Sequence, residues 1–374
     1  MKIFFFIKDV SLTGGTERVT VNLASLFASK GHDVTIVSYY RGKEKLTYTP
    51  NENVHVKFLD EAGCYDYGHP FSRLKRFFSA LTAVRKFVKA ECSDENTVII
   101  SQNFFSNALI WLSGAASRAI GCEHFKYDVY PAPVRFIRNC VYGNFKQIVC
   151  LTEKDSSRFL KHLRNDQVRT IPNMVASNEN IEVDLSSRTM IAVGRLAPQK
   201  GFDMLIHSMK AVVQKHGDWI LNIFGEGEQK KELENLVQKF GLQSNIVLKG
   251  YSQNIVKEFS ESAFFILSSR YEGFPLVLVE ALGLGMPCVA FDCPEGPSQL
   301  LEKGGGVLVP FDRECEIENS AGFKKNVENL SESILYMIEH EDFRKECVNH
   351  KEVIKKELSP DVIYTKWENC FTLK

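Results

Sequence analysis

Ser268-Ser269-Arg270-Tyr271-Glu272-Gly273-Phe274-Pro275-Leu276-Val277-Leu278-Val279-Glu280 is the stretch on which the fold turns. The five residues ahead of it, Ala263-Phe264-Phe265-Ile266-Leu267, are a short unbroken apolar run, the pattern of a strand buried in a parallel sheet. Gly273 and Pro275 end that strand, and Pro275 stands where a first helical turn tolerates its missing N–H. Residues 276–284 then open a helix whose first N–H groups have no partner within it and can receive an anion. Glu272 lies in the loop and Glu280 about two turns along, roughly 12 Å away at a helical rise. One elongated ligand suits that spacing, with a diphosphate over the helix start and hydroxyl-rich sugars at either end. An ordinary strand, loop and helix with two solvated acids suits it equally.

Outward from this stretch, the chain alternates strand and helix in two series. Residues 2–7 read as a first strand, and Gly14-Gly15 as a turn into a helix with Val19, Leu23, Leu26 and Phe27 on one face, ended by Gly31. Further strands fall at 33–38, 97–101, 119–122 and 147–151. A polar segment, 173–187, separates these from strands at 190–193, 219–224, 246–249, 263–267, 287–291 and 306–308, with helices at 203–215, 229–240 and 254–261. Such alternation implies doubly wound parallel sheets, and 374 residues exceed one ordinary core. The expected class is α/β with two Rossmann-like domains, residues 1–172 and 173–359.

A 44% hydrophobic and 25% charged composition is that of a soluble globular protein. No run approaches 18 apolar residues, so no bilayer span is expected. The apolar start breaks at Lys8 and Asp9, too early for a signal peptide. Ten cysteines without a CxxC pair, and without zinc spacing around Cys288 and Cys293, imply reduced thiols and a cytoplasmic location. Net charge is zero but divided: residues 1–175 carry 24 Lys+Arg against 16 Asp+Glu, and residues 176–374 carry 22 against 30. A basic first half calls for an anionic ligand or surface there. No helix-turn-helix, zinc-finger or RNA-recognition pattern is present, so nucleic acid is not an expected partner.

Glu272 and Glu280 form the Glu-x7-Glu pattern of retaining glycosyltransferases of the GT-B fold, and the chain resembles family 4 of that class, of bacterial surface-polysaccharide type. The matching pieces run in the family's order: Gly14-Gly15-Thr16-Glu17-Arg18, Glu123-His124, Val193-Gly194-Arg195-Leu196 with Lys200-Gly201, Phe224-Gly225-Glu226-Gly227, Leu248-Lys249-Gly250-Tyr251, then Glu272 to Glu280 and Gly304-Gly305-Gly306. The resemblance implies two domains facing a cleft: an N-terminal acceptor-binding domain and a C-terminal nucleotide-sugar domain. It also implies a last helix, 360–374, that packs back on the first. It implies transfer of a hexose or N-acetylhexosamine (Gal, GalNAc, Glc or GlcNAc) from a UDP-sugar to a saccharide or lipid-linked acceptor. No cofactor and no metal are expected.

The residues bear on that chemistry as follows. Arg195 and Lys200, five apart at a strand end, can balance a leaving diphosphate where a metal otherwise would. A surface Arg and Lys in a polar loop is the plain alternative. By resemblance Glu280 holds ribose hydroxyls and Glu272 lies by the donor sugar and phosphates. The N–H groups of Gly273, Phe274 and Leu276 would meet sugar or diphosphate, Gly225 allows close backbone approach, and Tyr251 to Asn254 wall the base pocket. Gly14 and Gly15 would let backbone N–H groups approach phosphate or acceptor hydroxyl, or simply make a turn. His124 is cast as a positioning residue near the reacting centre, because retaining transfer by the front-face route lets the leaving phosphate oxygen take the acceptor proton.

FSRLKRFFSALTAVRKFVKA, from Phe71 to Ala90, holds six Lys/Arg and no acid, with apolar residues at helical spacing. It reads either as a helix for an anionic membrane surface, making the protein peripheral on the inner face of the plasma membrane, or as a domain helix with its apolar stripe on the core. Asp292-Cys293-Pro294-Glu295-Gly296-Pro297 resembles a loop of members that use UDP-linked Gal, GalNAc or their gluco epimers. Rival readings are a nucleotide-sugar-binding or membrane-scaffold protein without turnover, and an epimerase or phosphorylase on the same fold. A dinucleotide dehydrogenase is disfavoured because Gly14-Gly15 lacks the full GxGxxG.

Overall fold

The computed structural model describes residues 1–60, 70–94, 96–175, 181–294, 296–318 and 320–372. Part of the expected linker (176–180) and Glu295 of the Cys-Pro loop lie outside the described residues. The chain forms two compact units, residues 1–173 with 363–374, and residues 174–362.

The first unit is built on seven parallel strands: β1 (Lys2–Ile7), β2 (Asp33–Ser38), β3 (Val54–Phe58), β4 (Thr97–Gln102), β5 (Ala119–Glu123), β6 (Gln147–Cys150) and β7 (Val168–Thr170). Their order is β3-β2-β1-β4-β5-β6-β7. Ile3 to Ile7 are all buried because helices cover both faces of this sheet, which is why β1 is apolar at each of these positions rather than at alternate ones. The sequence reading missed β3 and β7. β3, VHVKF, sits at an edge with alternate residues exposed, and β7 has only three residues.

Six parallel strands make the second unit: β8 (Thr189–Val193), β9 (Ile220–Phe224), β10 (Ile246–Gly250), β11 (Phe264–Leu267), β12 (Cys288–Phe291) and β13 (Gly306–Val309), ordered β10-β9-β8-β11-β12-β13. In each sheet the winding reverses once, between β1 and β4 and between β8 and β11. At such a reversal the loops leaving the two strands' carboxyl ends part in opposite directions and open a crevice, where ligands of these sheets bind.

The basic helix runs from Pro70 to Glu91. Ala80, Leu81, Val84, Phe87 and Val88 are buried in the first unit's core, and Phe87 meets Phe4 and Phe6 edge-on at 5.2 and 5.7 Å. Most of its apolar stripe therefore packs inward, as in an ordinary domain helix. Leu74 and Phe78 remain outside, 54% and 55% exposed. No helix among the described residues is long and apolar enough to cross a membrane.

The last helix, Pro360–Thr372, docks on the first unit. Phe27 takes the rings of Tyr364, Trp367 and Phe371 at 5.6–6.0 Å, and His32 Nε2 meets the Tyr364 hydroxyl at 2.8 Å. Burying large side chains such as Phe27 and Trp367 contributes about 1.5–3 kcal/mol each to this docking.

Candidate active site

In the second unit the crevice between β8 and β11 gathers the residues that the sequence spacing singled out. Gly194-Arg195 follows β8, and Lys200 closes a single 3₁₀ turn, Pro198–Lys200. Glu272 lies in the loop after β11. Although 72 positions separate them, Lys200 Nζ reaches Glu272 Oε1 at 2.7 Å, and Ser269 Oγ donates to the same oxygen at 2.5 Å. Glu272 is 7% exposed and the lysine side chain 18%, so the carboxylate is sunk while the lysine is the more open of the two. The Arg195 side chain is exposed at the same strand end.

This meeting is built by a staple that sequence reasoning missed. Arg270 donates to both carboxylate oxygens of Asp203 at 2.8 and 2.6 Å and to Pro198 O at 2.8 Å. Its own N–H bonds Gln199 O at 2.8 Å. Two parallel N–H···O bonds fix direction as well as distance, so the loop after β11 is clamped onto the loop after β8. Ser268 Oγ adds a bond to Lys200 O at 2.9 Å. Gly201 makes the close approach feasible: its φ is +63°, and a Cβ there would lie 2.1 Å from Ser268 O. The only sequence signal for this staple was an Arg two residues before Glu272.

The helix start behaves as expected with one amendment. Pro275 is the cap rather than the first helical residue, and Leu276–Gly283 follows it. Phe274 is buried, lining a small hollow with Leu300 and His350, so its side chain serves packing. Glu280 is half-buried within the helix. Cys293 lies close enough that, after burial, the Glu272 carboxylate is the next cause pushing its thiol up. Gly225 has a packing reason of its own: with φ +144°, a Cβ would fall 1.8 Å from Gly194 O, so the glycine admits the loop of β8. Tyr251 is 59% exposed, and the Asn254 side chain caps the helix Ile255–Ser260 through Lys257 N.

The first unit carries the other expected residues beyond the carboxyl ends of β1 and β5. Gly14 caps the helix Gly15–Ser29, and a Cβ on it would strike the Glu17 carboxylate at 2.3 Å. Burial, and then neighbouring Asp9, raise the Glu17 carboxyl above its usual range. Asp9 is wholly buried and accepts from Ser11 N and Oγ at 2.9 and 2.6 Å. His124 follows β5, half-buried, with Nε2 hydrogen-bonded to Gln102 Oε1. Burial lowers its imidazole to about 4, so the ring is neutral near pH 7. Its neighbour Glu123 turns the other way, into the core, where it meets Arg138 at 3.6 Å and Tyr142 Oη at 2.8 Å.

Comparison with known proteins agrees with this architecture. A family model described as glycosyl transferases group 1 matches residues 176–352, and one described as glycosyltransferase family 4 matches residues 13–179. An uncharacterized glycosyltransferase of Haemophilus influenzae is 25% identical over 98% of this chain and 99% of its own. The amylovoran biosynthesis glycosyltransferase AmsD of Erwinia amylovora is 28% identical over 98% of this chain and 99% of its own. Among solved structures, S. aureus TarM in complex with UDP and alpha-GlcNAc-glycerol superposes with a TM-score of 0.78 at 16% identity over the whole of both chains. The fold is GT-B.

Proposed function

The chain belongs to the group 1, family 4 glycosyltransferases, and from that premise we propose that it transfers a hexose or N-acetylhexosamine from a UDP-sugar with retention of anomeric configuration. The acceptor is a saccharide or lipid-linked saccharide in bacterial surface-polysaccharide synthesis. The observation that carries the reading is the Lys200–Glu272 contact at the second sheet's winding reversal, with Arg195 exposed beside it.

In the reaction the anomeric C–O bond to the diphosphate breaks and the acceptor oxygen bonds to the same carbon on the same face. The acceptor's proton passes to the departing phosphate oxygen. Charge grows on that diphosphate, so preorganised cations matter most as the bond breaks. Arg195 meets it as an exposed guanidinium. Lys200 shares its ammonium between Glu272 and the phosphate, so that Glu272 holds the lysine in place rather than competing for the sugar. The first N–H groups of the helix Leu276–Gly283 add a third positive element, and Glu280 takes the ribose hydroxyls. With these groups the reaction runs without a divalent ion. His124, neutral and oriented, is assigned to a sugar hydroxyl.

Support for the polysaccharide setting comes from the name of the Erwinia relative, and for UDP from the ligand of the TarM structure. Membrane contact rests on Leu74 and Phe78, exposed one turn apart on a helix that also exposes Lys75, Arg85, Lys86 and Lys89. That face suits the anionic inner leaflet of the plasma membrane. Replacing Leu74 and Phe78 by Ser should weaken binding to phosphatidylglycerol vesicles several-fold without changing the melting temperature. Equal sedimentation would return the helix wholly to the core.

The deciding experiment is a screen of UDP-sugars with the purified protein, followed by anomeric analysis of the product. Turnover of one UDP-hexose or UDP-N-acetylhexosamine, undiminished by chelator and giving the α-linked product from an α-donor, is expected. Binding of UDP with no donor consumed would replace the enzyme by a binding protein.

A further inference from the structure

The winding reversal of the first sheet, between β1 and β4, is furnished quite differently from that of the second. β4 ends at Gln102, and the helix Asn103–Leu112 begins at the next residue with no intervening loop. The joint is made by Asn103 at φ +66°, the only non-glycine residue with a positive φ among the described residues. Such a conformation persists only where the surroundings enforce it, and it gathers at functional positions. Here Asn103 Nδ2 donates to Thr16 Oγ1 at 3.3 Å, tying the joint to the Gly14-Gly15 turn after β1.

The tight joint leaves Gln102 1% exposed, with its carboxamide oxygen on His124 Nε2. The other atoms of this step are left over. Gln102 Nε2 and Asn103 Oδ1 are buried without a hydrogen-bond partner among the described residues, as is Asp9 Oδ2 in the turn after the adjacent strand. Buried polar groups are nearly always paired, and an aliphatic side chain would fill the space of Gln102 without that penalty.

We propose that Gln102 is a positioning residue that fixes the His124 imidazole as its Nε2–H tautomer, so that Nδ1 is presented as a hydrogen-bond acceptor to a substrate hydroxyl. With the carboxamide oxygen facing the ring, that oxygen can only accept, so the hydrogen between the two side chains belongs to the ring, and the second ring nitrogen carries the lone pair. Because the ring is neutral near pH 7, the tautomer rather than the charge decides what it offers. The tautomer assignment stands on its own, whereas its consequence for transfer rests on the reading given under Proposed function.

The test uses the full chain with 15N-labelled histidine. Nitrogen shifts of His124, assigned by its loss in His124→Phe, should report Nε2–H in the unsubstituted protein; Nδ1–H overturns the proposal. Gln102→Met should mix the tautomers and lower kcat about tenfold with the donor KM nearly unchanged. Gln102→Glu, which keeps an accepting oxygen, should keep a hydrogen on Nε2 while its charge raises the ring's titration, and guards against a Met variant that fails to fold. An unchanged tautomer in Gln102→Met overturns the proposal. A tautomer that moves while kcat holds overturns the positioning role. Absence of any donor turnover in the unsubstituted protein, with Nε2–H present, fails the functional reading alone and leaves the tautomer assignment supported.

Discussion

Two glutamates at strand ends, one in each unit, grip a cation, and they do so for different ends. Glu123 closes β5 and meets Arg138; Glu272 follows β11 and meets Lys200. Each also accepts from a hydroxyl, Tyr142 in one case and Ser269 in the other. The Arg138 guanidinium is completely buried, with its carbon 4.6 Å from the Phe159 ring centre and 4.7 Å from that of Tyr127, and it donates to Tyr127 O. Lys200 is the more open partner of its pair, and exposed Arg195 shares its strand end. The sealed pair is a structural strut, whereas the more open one, on the function proposed above, is a site poised for a ligand. The sequence marked both glutamates; only exposure of the partner separates them.

The contrast can be broken by removing each cation in turn. Arg138→Met should destabilise the fold by about 3–5 kcal/mol, because a buried carboxylate is left unpaired. Adding Glu123→Gln should recover a large part of that loss in urea titrations. If the single variant is as stable as the parent, the strut is no strut. Lys200→Ala or Arg195→Ala should lower kcat about 100- to 1,000-fold, the effect of losing one preorganised donor at a developing charge. Arg195→Ala should leave the melting temperature nearly unchanged, Lys200→Ala should lower it because the buried Glu272 carboxylate loses its cation, and unchanged turnover would remove the diphosphate role.

A smaller effect should appear in pH dependence. Burial raises the Glu123 carboxyl above the ordinary 4.5 despite Arg138 and Tyr142, which act in the opposite sense. The folded chain therefore holds this proton more tightly than the unfolded one. Stability attributable to Glu123 is greatest below about pH 4.5 and is lost as pH rises through the raised value. The parent should lose stability relative to Glu123→Gln over that rise, measured as the difference between their urea midpoints. A difference that is flat or of opposite slope would mean that Arg138 outweighs burial.

Much of the architecture was legible because it is written in short-range pattern. Eleven of the thirteen strands were placed within two residues at either end, since a strand buried on both faces is apolar throughout. β3 and β7 escaped because edge position and shortness leave too little apolar signal. Arg195, Lys200, Glu272 and the helix start were marked by charge and spacing near strand ends. The Arg270–Asp203 staple and Gln102 were not, because their partners lie 67 residues away in one case and 22 in the other. The helix from Pro70 to Glu91 had two readings, tipped slightly towards a membrane surface by the basic first half, and burial of Leu81, Val84, Phe87 and Val88 chose mainly the core.

What the chain determined by itself is periodicity, breaking points and the types of charge that end each strand, because these depend on neighbours a few residues apart. Tertiary structure alone decided which of those charges meet. Lys200 finds Glu272 only because the sheet reverses between β8 and β11 and an arginine clamps the two departing loops together. Long-range pairing is set by strand order and burial, quantities that no local window of residues contains.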